Sequence, residues 1–188
     1  MPLVTVWNVS SMSRLKQQPM GLKPGHTSAI RRIEGGMLSY HADMDANTNP
    51  FELGLERLVD LEMEADFIGK KALKEIAKQG VSRKQVGIEI DGEMLIGANN
   101  EFWQIVMESM HIGYVTSAIH SPRLQKNIAL AMVHNDYSEI GLEAELHTPF
   151  GQRGIKIVPK PFYDPKKKLA VVGGETAFNN NSGQVVAS

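Results

Sequence analysis

The side chains able to do chemistry are thinly spread along the 188 residues, and zero cysteine removes thiolate catalysis, disulfides and Cys-based metal sites. The six histidines are scattered. No pair has the i, i+4 spacing of a helical zinc site, so no Glu sits inside such a pair, and no metal site is expected. His111 and His120 flank one expected strand at an odd separation, which puts them on opposite faces. Asp43 and Asp45 could form a carboxylate pair for acid–base work. In so polar a stretch they read better as Asx-turn formers that bind their own backbone. Ser117, Ser121 and His120 suggest a nucleophile and base, but no Gly-x-Ser-x-Gly elbow surrounds either serine, and Ser121 precedes a proline. Gly-x-Gly-x-x-Gly and the phosphate-loop signature are both absent, which argues against nucleotide binding of those kinds. Lys166-Lys-Lys168 is either a solvated tail or a basic clasp for an anionic ligand, and charge alone favours the solvated tail.

The elements that must position these residues follow from punctuation and period. The stretch Tyr40–Leu55 is polar and turn-rich. Asn49 is a good helix N-cap, Pro50 falls at the first helical position, and Glu52 can reach back to the cap N–H. Gly54 stops the turn, and Leu58, Val59 and Leu61 suggest a short strand after it. Upstream, Trp7–Leu15 suits a helix, Gln17–Gly25 a Pro/Gly loop, and Thr27 or Ser28 caps a helix to about Glu34 that Gly35-Gly36 ends. Downstream, Asp66 is the expected cap of a helix whose Ile68, Ala72, Leu73, Ile76 and Ala77 share one face, closed by Gly80.

The period changes near 79–84. Val86, Ile88 and Ile90 alternate with Gln85, Gly87 and Glu89, as a half-buried strand requires. Strand-like runs follow at about 94–98, 103–109, 112–119, 128–134, 141–148 and 153–159, with turn signals between them, so an antiparallel barrel or sandwich is expected. The tail from Asp164 onward is polar and Gly/Asn-rich and is expected to be mobile. A net charge of −1 gives no long-range pull toward nucleic acid or acidic membranes. No apolar run approaches a membrane span, and residues 1–20 lack an export signal's apolar core, so a cytoplasmic protein is expected.

Several short motifs come in one order at tight spacing. They are Arg32-Ile-Glu34, Leu38-Ser-Tyr40, Asp43-Met-Asp45, Asn49-Pro-Phe-Glu-Leu-Gly-Leu55 and Asp66-Phe-Ile-Gly-Lys-Lys-Ala-Leu73. Thr116-Ser117, Ser121-Pro122, Lys126-Asn-Ile-Ala-Leu-Ala-Met132 and Lys160-Pro-Phe-Tyr163 follow. The ordered set, from about Trp7 to about Lys168, resembles the glycine cleavage T-protein (aminomethyltransferase) family, which includes the dimethylsulfoniopropionate demethylases.

The resemblance implies an α+β chain. Residues 1–80 would be the C-terminal part of a folate-binding α+β domain, 81–163 an antiparallel, jelly-roll-like β-barrel, and 164–188 a mobile tail. It implies tetrahydrofolate as cofactor and a small methylated or aminomethyl donor. It also implies one-carbon transfer in which basic residues past the last barrel strand reach the folate's glutamate tail; by position, Lys168 falls closest to that place. Family members carry an N-terminal aspartate and a Gly-Tyr-Thr-Gly-Glu segment that this sequence does not show. The chain therefore looks like the C-terminal half of such a protein, a natural fragment or a truncation, with no catalytic residue to carry over. By itself it is expected to be inactive, and its partner would be the missing half or another subunit.

The donor stays open. Ser28 stands where T proteins place a folate-touching arginine, and Lys23–Gly25 leans toward the demethylases, whereas Asp43–Glu52 leans toward T proteins. The alternatives are a non-enzymatic folate-binding or scaffold protein, or an inert fragment. Iron–sulfur repair relatives carry a cysteine motif that this chain lacks.

Overall fold

The computed structural model describes residues 28–166 and Lys168. The expected helix at Trp7–Leu15, the loop at 17–25 and the tail beyond Lys168 lie outside those residues. The order of elements is helix α1 (Ala29–Glu34), a 3-10 turn (Glu56–Leu58), helix α2 (Lys70–Gln79), then strands β1 (Arg83–Ile90), β2 (Trp103–Met107), β3 (Met110–Ser121), β4 (Lys126–His134), β5 (Glu143–Thr148) and β6 (Gly151–Val158). A second 3-10 turn, Asn135–Tyr137, joins β4 to β5.

The six strands close into an antiparallel barrel in the order β1-β4-β3-β2-β5-β6. Closure gives every strand two neighbours and leaves no edge exposed. The alternation expected in β1 is the alternation found: Val86, Ile88 and Ile90 enter the barrel core with Ile105, Val115, Leu146, Ile155 and Ile157. β4 is buried on both faces, since Ala129, Ala131 and Val133 line the interior while Ile128 and Leu130 meet Ile33 of α1 outside. That double burial explains its continuous apolar spelling. Gly87 faces outward beneath the Phe162 ring, where an added Cβ would lie 3.0 Å from Cζ.

Five expectations are corrected. Residues 94–98 form no strand. Leu95 is pinned through its N–H to Asn127 Oδ1 at 3.0 Å, while Met94 and Ile96 stay exposed, so a side chain and not a ladder holds the segment. Leu58 to Leu61 likewise make no strand, because the chain leaves its turn through the 3-10 element. Asp66 does not cap α2; its Oδ1 accepts the N–H of Phe67, and Gly69, at φ 91°, precedes the first helical residue. Ile68, counted on the apolar face of that helix, lies before it and is fully exposed. Finally, the parity argument for His111 and His120 assumed an unbroken strand. The β3–β4 register shifts between Val115 and Ser117, which interrupts the alternation.

Candidate functional site

The segment from α1 to Leu55 is fastened to the outside of the barrel by three buried acids. Glu34 ends α1 and accepts Ser121 Oγ–H at 2.6 Å, with Arg123 3.7 Å away. Asp43 is fully buried as a side chain and pairs with Arg32. It also accepts from the Ser39 N–H at 2.9 Å, Thr116 Oγ1 at 2.6 Å and Ser117 Oγ at 2.7 Å. Arg32 completes the ring by donating to Ser117 Oγ at 2.8 Å and to the Met37 carbonyl at 3.0 Å. A buried carboxylate demands this number of partners, because each unpaired lone pair would carry the cost of lost water.

Glu52 is the third acid, and it serves the turn predicted from the sequence. Asn49 Oδ1 accepts the N–H groups of Phe51 and Glu52, both at 3.0 Å, and Glu52 Oε2 accepts the Asn49 N–H at 3.0 Å. That is the full reciprocal capping box. Glu52 then reaches β1, where Arg83 Nε donates to its Oε1 at 2.9 Å, and the Gln85 N–H binds its carbonyl at 2.7 Å. The Glu52 hydrogen bond raises the pKa of Arg83 above its ordinary value. Gly54 closes the turn at φ 71°, a conformation that suits glycine.

Between this turn, the corner after α1 and the chain leaving β6 lies a cleft of about 640 Å³. Its apolar lining includes Met37, Leu38, Met44, Leu53, Leu55 and Pro161. Its charged lining is Arg57, Lys160 and Lys166, and among the described residues no carboxylate faces it. A volume within a few hundred cubic ångströms, an apolar body and a few convergent cations suit a small amphiphilic anion. Lys160 is the innermost held of the three. Its Nζ donates to Gln85 Oε1 at 2.6 Å and to the Leu53 carbonyl at 3.3 Å. Burial pushes its pKa down to about 8; Asp43 and Glu56 oppose that fall, and Lys84 adds to it.

Residues 83–164 match the family described as the glycine cleavage T-protein C-terminal barrel domain. This stretch is a T-protein barrel. The chain is 39% identical over 132 residues to the aminomethyltransferase of Synechococcus sp. (strain RCC307), covering 70% of this chain and 36% of that protein. It is 36% identical over 151 residues to the aminomethyltransferase of Clostridium botulinum (strain Loch Maree / Type A3), covering 80% of this chain and 39% of the relative. The chain thus spans less than half the length of these curated relatives. The fold superposes on the glycine cleavage system aminomethyltransferase T from Bartonella henselae with a TM-score of 0.66 at 23% identity, over 72% of this chain and 38% of that one.

Set on the T-protein barrel, the residues singled out in the sequence separate cleanly. Asp43 is structural as expected, though by a different device: its partners come from β3 and α1, not from its own turn. Asp45 is the Asx former, with the Asn47 N–H on its Oδ1 at 2.8 Å, and that bond lowers its pKa. Ser117 and Ser121 spend their hydroxyls on Asp43 and Glu34, and His120 Nδ1 meets Asn127 Oδ1 at 3.0 Å, so the three do not form a triad. Among the described residues no His, Cys, Asp and Glu cluster could hold a metal. Lys166 lines the cleft, whereas Lys168 is exposed and stands outside its lining, its N–H bonded to Asp164 Oδ1 at 2.8 Å. Lys160, Arg57 and Gln85 were missed. Lys160 was visible only as a letter of the Lys160–Tyr163 motif, and nothing local marks it as a half-buried cation.

Proposed function

We propose that this chain supplies the C-terminal wall of a tetrahydrofolate-dependent one-carbon transferase, and that the cleft receives the outer, aromatic-and-glutamate part of the folate. The observation that carries the reading is the cleft itself: apolar walls and, among the described residues, three cations and no facing acid, built on a barrel of the T-protein family. Bound tetrahydrofolate would supply the nitrogen that accepts the carbon. The residues of this chain would bind and orient the cofactor's outer end and help to keep water from it. The relatives named above support an aminomethyl donor. A methylated sulfonium donor such as dimethylsulfoniopropionate is retained from the Lys23–Gly25 resemblance. A cytoplasmic location belongs to the same proposal; among the described residues no helix is long and apolar enough to cross a membrane.

In this reading Lys168 is the outermost cation and reaches the distal carboxylates. An exposed ammonium on a flexible stem acts as a screened point charge worth about 1 kcal/mol, so Lys168→Ala should weaken binding of polyglutamated folate roughly fivefold at low salt and hardly at all at high salt. Calorimetric titration of mono- and polyglutamated 5-formyltetrahydrofolate, at both salts, checks this. Equal affinity of the variant and wild type for polyglutamate at low salt would remove Lys168 from the site. The 188 residues by themselves should bind without turnover, and methyl or aminomethyl transfer by the purified chain would refute that.

A further inference from the structure

We propose that Lys160 is the anchor for the anionic end of the cleft's ligand, and that the ligand takes its place together with a proton. The inference deepens the folate reading above and rests on it for the identity of the ligand.

Two observations point to an anchor that awaits a partner. Among the described residues Lys160 Nζ touches only neutral acceptors, the Gln85 side-chain oxygen and the Leu53 carbonyl. Among the described residues no carboxylate comes within ion-pair distance of it. Beside it, Gln85 is only 2% exposed, and its Nε2 finds no hydrogen-bond acceptor among the described residues. A half-buried ammonium without a counter-ion among the described residues lies beside a buried amide donor without an acceptor. The ammonium lines the cleft and lacks an anionic oxygen; the amide lies behind it and lacks an acceptor.

The charged groups around Lys160 decide how it answers. Asp43 and Glu56 act on it from a distance and favour its charge, while Lys84 opposes it. Arg57 and Lys166 share the cleft. Burial wins, and Lys160 sits near a pKa of about 8, so near pH 8 about half of the molecules carry it neutral. A carboxylate placed against Nζ favours the charged form, and the missing proton is drawn from solvent on binding.

The test is a calorimetric titration of 5-formyltetrahydrofolate into the 188-residue chain at pH 6.5, 8 and 9, each in two buffers of different ionisation enthalpy. The expected result is uptake of about half a proton per ligand at pH 8, almost none at pH 6.5, and an affinity that falls about fivefold from pH 8 to pH 9. Lys160→Arg carries a fixed charge and should bind with no proton uptake and a flat pH profile. No uptake by wild type at pH 8, or uptake that survives in Lys160→Arg, overturns the proposal. The proton count is made on wild type, so the test stands even if the variant fails to fold. If the folate gives no heat at any pH, the folate reading fails. The anchor is then judged on inorganic phosphate by the same proton count, and silence there overturns the anchor as well.

Discussion

Asp43 holds four groups in one place with a single carboxylate, and its removal should show it. Asp43→Ala leaves Arg32 without its counter-ion and Thr116 and Ser117 without their acceptor, so a loss of about 3–5 kcal/mol is expected in urea melts. Asn49→Ala, by contrast, removes one cap and should cost about 1 kcal/mol by the same measurement. The second residue was legible and the first was not, for a plain reason. Every partner of the Asn49 side chain lies within three positions, whereas the hydroxyls on Asp43 come from 73 and 74 positions away. Lys160 was hidden in the same way, its two acceptors lying 75 and 107 positions back. Its titration has a sign that can be checked. The folded chain holds Lys160 near 8 against an ordinary 10.5, so between those values the unfolded state binds more protons, and stability rises with pH. Wild type should therefore gain on Lys160→Met by on the order of 1–3 kcal/mol as pH is raised from 7.5 to 10, and no relative gain would contradict the burial of its charge.

At the scale of elements, the barrel was legible because its strands obey the period-2 rule that sequence can express. Ile88 is fully buried in that pattern, and Ile88→Ala should cost about 2–5 kcal/mol. The failures fall where tertiary partners replace local rules. Leu95 is seated by Asn127 and not by a neighbouring strand, so an apolar run read as a strand is a pinned loop. Gly113, on β3, could not have been ranked above any other glycine from the sequence. An added Cβ there would lie 2.3 Å from the Met132 carbonyl oxygen and 2.7 Å from Val133 Cα, both backbone atoms of the next strand. Gly113→Ala should therefore force β3 and β4 apart, with a cost of about 1–3 kcal/mol or more in thermal or urea melts. A variant as stable as wild type would mean that β3 can slide relative to β4 at no cost.

Across the whole molecule, the barrel acts as a platform and the segments on either side of it in the chain build the cleft on its outer face. The α1 corner and the capped turn come from before β1, and Lys160, Pro161 and Lys166 come from after β6. The three buried acids hold the first group to the barrel, and Lys160 ties the second group to the first through the Leu53 carbonyl. The central claim is that this cleft, and no other hollow of the surface, receives the folate's outer end. The most direct test is a nitrogen–proton NMR titration of the 188-residue chain with 5-formyltetrahydrofolate. Shifts that move with ligand should cluster at Gly35–Leu38, Leu53–Arg57 and Lys160–Lys166. Shifts confined to the apolar hollow around Met94, Ile96 and Phe150, or no shifts at millimolar ligand, would contradict it.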